Sequence, residues 1–112
     1  MRYKIKSRIW IESGDNVFLG EGRVQLLKAI ETKGSLSRAA ATLKMSYKKA
    51  WTLLDAINKS AEKPVVITSI GGKNGGGAKL TLYGKSLITA FETLNQKCWK
   101  YLDKHMDEIN EL

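Results

Sequence analysis

The chain has few of the residues that most chemistry requires. Its 112 residues include one cysteine, Cys98, and one histidine, His105. A single thiol excludes an internal disulfide and fits a reducing cytoplasm. Both residues stand alone on what periodicity makes a helical core or interface face. No carboxylate pair or cluster with metal-ligand spacing accompanies them, so the expectation is no enzyme, no metal and no cofactor. Long apolar runs are also missing. Residues 3–12 alternate with charges, unlike a signal-peptide core, and no stretch approaches the roughly 20 apolar residues of a membrane span. These absences predict a soluble, cytoplasmic protein with no membrane partner.

Acidic residues are missing in two places. Between Lys33 and Leu54 there is no Asp or Glu, while Lys33, Arg38, Lys44, Lys48 and Lys49 are present. Between Lys63 and Phe91 there is again none, with Lys63, Lys73, Lys79 and Lys85 in the gap. The acids gather instead after Tyr101, as Asp103, Asp107, Glu108 and Glu111. The net charge of +8 therefore concentrates over two central segments and points to a polyanionic partner. With 43% hydrophobic residues the chain has material for one core, hence one domain over 1–112.

Tyr3, Ile5, Ile9 and Ile11 share one face at period two, with Lys4, Lys6, Arg8 and Glu12 on the other, the pattern of a half-buried strand. Turn chemistry at Ser13-Gly14-Asp15-Asn16 and the return of Val17-Phe18-Leu19 predict an N-terminal hairpin over 3–19. A first helix over about 23–33 follows, with Val24, Leu27 and Ile30 on one face and Gly34 placed to stop it. Ser35 is positioned to cap a second helix with Leu36, Ala39, Ala40 and Leu43 inward; the two alanines suit backbones that cross closely. Lys44-Met45 makes a turn, with Met45 pointing into the core, and Ser46 caps a third helix. Along it Ala50, Leu53, Leu54 and Ile57 form an apolar stripe opposite Lys48, Thr52, Asp55 and Lys59. Pro64, the sole proline, starts a strand over 65–70. Five of the ten glycines then fall between Gly71 and Gly77, and a second strand follows from Ala78 to Leu82. From about Thr81 one long helix runs toward Asn110. If continuous, it spans on the order of 40 Å.

Helix-turn-helix followed by strand-loop-strand is the layout of a winged helix. The expected fold is α+β, mainly helical: a winged helix-turn-helix with an N-terminal β-hairpin and a long C-terminal helix. Its parts are the helix-turn-helix over 35–60, the wing over 65–82 and a dimerisation helix over 82–110.

In such a motif the second helix offers its N-terminal residues to base edges in the major groove, while the first lies across the backbone. Tyr47, Lys48, Lys49 and Thr52 are thus the candidates for the groove, Ser46 for a phosphate, and Ser35, Ser37 and Arg38 for positioning contacts. Tyr47 has packing against Trp51, one turn on, as its alternative; Trp51 itself flanks the apolar stripe and reads as core or shoulder. Asp55 either sits at the groove's edge or answers a lysine. The glycine loop is not a nucleotide cradle, because Gly77 leads into Ala78-Lys79-Leu80, a strand, and not into Gly-Lys-Ser/Thr and a helix. As a wing it would carry Lys73, Asn74 and Lys79 to phosphates or a minor groove. On the long helix, Phe91, Leu94, Cys98, Leu102, Met106 and Ile109 form a stripe beyond the reach of a small core, the expected seam of a homodimer.

Gly34-Ser35-Leu36-Ser37-Arg38-Ala39-Ala40, Met45-Ser46-Tyr47-Lys48-Lys49-Ala50-Trp51, Gly71-Gly72-Lys73-Asn74-Gly75-Gly76-Gly77-Ala78 and Leu80-Thr81-Leu82-Tyr83-Gly84 together resemble the N-terminal DNA-binding domain of the ModE family. These are bacterial molybdate-responsive transcription regulators. The resemblance covers nearly the whole chain, and its most specific parts are the Ser-Tyr-Lys-x-Ala-Trp segment and the triple-glycine wing. It implies a dimeric, sequence-specific regulator bound to a pseudo-palindromic operator in double-stranded DNA. The family's full-length members also carry C-terminal oxyanion-binding domains, whereas this chain stops at Leu112. The expectation is a stand-alone form without a molybdate site. An RNA-binding or a protein-interacting winged helix is the alternative; exposed apolar residues in place of Lys48, Lys49 and Thr52 would mark the latter.

Overall fold

Three helices supply the centre: α1 (Glu21–Lys33), α2 (Leu36–Thr42) and α3 (Tyr47–Ser60). The structure, a computed structural model, describes residues 2–70 and 76–112. α1 buries Val24, Leu26, Leu27 and Ile30 and ends at Gly34, whose N–H donates to the Ile30 carbonyl at 2.8 Å. Gly34 has φ 75°, the left-handed region where a Cβ would be strained, and this sharp exit lets α2 begin two residues later. Ser35 Oγ accepts the Arg38 N–H at 3.2 Å, and Ser46 Oγ the Lys49 N–H at 3.1 Å, so both serines cap as their spacing predicts. In the turn between, Lys44 is left-handed at φ 56° and the Met45 N–H donates to Ala40. Ala39, Ala40 and Ala50 are at most 2% exposed. Their small side chains leave room for α1, α2 and α3 to approach.

The N-terminal hairpin is shorter than the alternation of apolar residues predicts. β1 spans Trp10–Ser13 and pairs antiparallel with β2, Asn16–Gly20. The register shifts between Ile11 and Glu12, so Phe18 is the extra residue of a bulge; Leu19 is buried and Phe18 packs on the core beside it. Residues 2–9 are not a strand. They run beside the end of the chain instead: the Tyr3 N–H donates to Asn110 Oδ1 at 2.7 Å, the Asn110 amide returns to the Tyr3 carbonyl, and Arg2 meets Asp107 at 3.2 Å.

Two more strands, β3 (Val66–Thr68) and β4 (Ala78–Leu80), form the antiparallel base of the wing. Val66, Ala78 and Leu80 turn inward, and the Ala78 N–H donates to the Gly34 carbonyl at 2.9 Å, fastening the wing to the α1–α2 corner. Thr81 then caps α4, Leu82–His105: its Oγ accepts the Gly84 N–H at 3.0 Å and donates toward the Pro64 carbonyl at 2.7 Å. The long helix is not continuous to Asn110. It breaks at Met106, and a single turn, α5 (Asp107–Asn110), follows. Only its first half touches the core, through Ile88 and Phe91. The molecule is accordingly elongated, 63 × 29 × 23 Å with a radius of gyration of 17.1 Å, against about 13 Å for a compact domain of this length.

Gly84 is where α4 crosses the start of β3. A Cβ there would run into the Val65 carbonyl oxygen. Alanine normally stabilises a helix interior by about 1 kcal/mol over glycine. Gly84→Ala should instead destabilise by about 1–3 kcal/mol, the cost of overpacking, as measured by urea unfolding.

Candidate nucleic-acid interface

At 3.6 residues per turn, the face of α3 opposite Ala50, Leu54 and Ile57 carries Lys48, Thr52, Asp55 and Lys59. Lys48, Lys49, Thr52 and Tyr47 are all exposed. Asp55 answers a lysine: its carboxylate holds Lys59 at 2.9 Å, one turn further along. Among the described residues no carboxylate lies within ion-pair distance of Arg38, Lys48, Lys49 or Lys79. The charge nearest the start of α3 is therefore uncompensated, whereas that at its end is neutralised.

Hydrogen bonding limits what each polar group has left to offer. The Thr52 hydroxyl donates to the Lys48 carbonyl at 2.9 Å, which leaves its lone pair and methyl facing outward. Ser35 and Ser46 spend acceptor capacity on their caps but keep a hydroxyl hydrogen to donate. The Arg38 N–H is consumed by Ser35, so Arg38 has only its exposed guanidinium to present. Ser37 is exposed in the same turn. Lys79 is exposed on β4, opposite Ile67. Lys73 and Asn74 lie outside the described residues.

Two residues differ from their reading in the sequence or were missed by it. Trp51 is neither core nor firmly shouldered; it is 51% exposed, beside a Tyr47 that is 57% exposed. Both line a cleft of about 360 Å³ between α3, the start of α2 and the base of the wing. Asn58 was not singled out, because an asparagine on a helix carries no signal of its own. It is the joint between α3 and the wing: its Oδ1 accepts the Val65 and Val66 N–H groups at 2.9 and 3.2 Å, and its Nδ2 donates to the Val66 carbonyl at 3.0 Å.

The expected dimer residues also divide. Phe91 is 3% exposed in the chain's own core, so it is not free for a partner. Cys98, Leu102 and Met106 are half-buried, with Cys98 Sγ 4.0 Å from Ser7 Oγ. Leu94 and Ile109 are about half exposed, as are Trp99 and Tyr101 close by in sequence.

No family model matches the chain. It is similar to the molybdenum transport protein ModE of Azotobacter vinelandii, 35% identical over 106 residues, covering 95% of this chain and 39% of that protein. It is 42% identical over 80 residues to the transcriptional regulator ModE of Haemophilus influenzae, covering 71% and 31% of the two chains. It is 39% identical over 92 residues to the DNA-binding transcriptional dual regulator ModE of Escherichia coli K12, covering 82% and 35%. The chain spans about a third of the length of these relatives.

Asn58→Ala would leave two buried N–H groups without a partner and should cost about 1–3 kcal/mol. Asn58→Asp, which keeps the acceptor but loses the donor, should lie between wild type and alanine. Thermal unfolding of the three proteins checks the order.

Proposed function

Because the chain is a ModE-like domain, homologous over most of its length to part of those regulators, we propose that it is a sequence-specific DNA-binding transcription regulator. In this reading α3 enters the major groove, with Lys48, Lys49 and Thr52 toward base edges and Tyr47, on the Trp51 side of the helix, at the groove's edge. Ser35, Ser37, Arg38 and Ser46 hold the flanking backbone. The wing, with Lys73, Asn74 and Lys79, lies on the backbone or in the adjacent minor groove. The observation that carries the reading is the run of uncompensated cations at the start of α3, beside a wing whose base carries Lys79 and no acid. A surface of that kind suits a polyanion of regular spacing, and exposed lysine at Lys48 and Lys49 suits a protein partner poorly.

The choice between DNA and RNA rests on groove shape. The major groove of an RNA duplex is too deep and narrow for a helix to read. Duplex DNA should therefore be bound more tightly than duplex RNA or single strands at matched salt; preference for either RNA form would refute the assignment. Within DNA, Lys48→Ala should cost roughly 1–3 kcal/mol and relax discrimination at one base position. Lys73→Ala should weaken all sequences alike and flatten the salt dependence by about one unit of slope. Selection from random duplexes, with titrations at several salt concentrations, separates the two effects.

The regulator acts, in this proposal, as a homodimer. α4 extends past Phe91 with Leu94 and Ile109 half exposed and Leu102 and Met106 only partly covered. Burial of such side chains is worth on the order of 1.5–3 kcal/mol each, and a symmetry-related copy of the same stripe would supply it. Two α3 helices would then lie one DNA turn apart, ~34 Å, or a multiple of it, over a pseudo-palindromic site. Leu94→Asp combined with Ile109→Asp alters only exposed positions. By light scattering it should shift the protein to monomers, and it should weaken operator binding although every groove residue is intact. A wild-type chain that scatters as a monomer at micromolar concentration would end the dimer proposal.

A further inference from the structure

The cleft between α3 and the wing base has walls of two kinds. Tyr47 and Trp51 stand on one side, half exposed and one helical turn apart, and Ile70, fully exposed, stands on the other. Ser37, Ser69 and Gly77 belong to the rest of the lining, and among the described residues none that lines the cleft is acidic. The Ser69 hydroxyl accepts the Gly77 N–H at 3.1 Å, so its own hydrogen is left to donate into the cleft. Lys48, exposed, stands on the adjoining face of α3, about 60° round the helix from Trp51.

On the DNA-binding reading above, on which this step rests, we infer that the cleft seats the sugar–phosphate strand that separates the two grooves, and that Trp51 is the residue that packs on its deoxyribose. The angular placement supports sugar over base. At about 100° per residue, Trp51 lies roughly 60–100° round the α3 axis from Lys48 and Thr52, turned toward the wing. If Lys48 and Thr52 face the groove floor, a side chain rotated that far meets the groove wall, which is backbone. The chemistry agrees: deoxyribose presents C–H groups to an indole face, while phosphate oxygens next to it accept from hydroxyls and attract lysines. Trp51 is thus a positioning and affinity residue that carries no sequence information, because sugars and phosphates carry none.

This gives Trp51 a signature that neither kind of lysine shares. Trp51→Ala should weaken selected and random duplexes by the same factor, about tenfold. It should leave sequence preference unchanged and, since no charge is removed, the salt slope unchanged as well. Trp51→Phe should recover part of the loss. A measurement that leaves Trp51 in place runs alongside. With Trp10→Phe and Trp99→Phe, Trp51 is the sole tryptophan, and a 20-base-pair duplex should shield its fluorescence from acrylamide. A change in sequence preference on Trp51→Ala would make it a base reader and overturn the inference. So would equal affinity together with an unshielded indole. A wild-type chain that binds no duplex at low salt would instead remove the DNA-binding reading beneath it.

Discussion

The carboxamide of Asn58 is the contact on which the arrangement of the charged surface depends. One side chain near the end of α3 takes both hydrogen bonds available at its oxygen and gives one from its nitrogen, all to Val65 and Val66, where the chain enters β3. Val65 and Val66 are buried, so these backbone groups have no water to fall back on. The amide therefore fixes where β3 leaves α3. Thr81 grips the segment leading into β3 from the far side, through the Pro64 and Val65 carbonyls, and Ala78 holds β4 to Gly34. With these three attachments the wing base has a defined position against all three helices. Exposed cations on two elements can then act as one surface.

Much of this was legible in the sequence, and the legible parts share a cause. Helix ends were marked by residues whose local chemistry does one thing: Gly34 supplies a left-handed exit, and Ser35 and Ser46 each cap the helix that follows. The close crossings were visible as Ala39, Ala40 and Ala50, and the buried stripe of α3 as its 3.6-residue period. These are short-range effects, readable within one turn of helix.

What was not legible depends on partners distant in sequence. The period-two alternation from Tyr3 to Ile11 is a strand pattern, but a strand needs a neighbour with free hydrogen-bonding groups. β2 is five residues long and reaches only to Trp10, so residues 2–9 have nothing to pair with in that hairpin and bond instead to Asn110 and Asp107. Trp51 reads as core or shoulder because it flanks the apolar stripe; that it lines an open cleft, half exposed, is visible only once the wing's position is known. Phe91 belongs to the same spacing as Leu94 and Cys98, yet the core ends between them. Periodicity finds a helix face, but not how far along the helix the rest of the molecule extends.

That boundary divides the molecule into two ends of different physical character. Around α2, α3 and the wing base the exposed groups are cations with few carboxylates in reach. Beyond Phe91, residues 97–112 carry three lysines against four carboxylates, and Arg2 and His105 sit against two of the latter. Their other exposed groups are apolar or aromatic. Attraction at the first end is Coulombic and counterion-linked, so it falls steeply with salt. Burial at the second end is governed by apolar area and is nearly indifferent to salt. Two surfaces on one rigid helical frame can thus be tuned separately. On the proposed function, association through the long helix would persist at ionic strengths that release a polyanion, and an assembled dimer would be the species that finds and leaves its site.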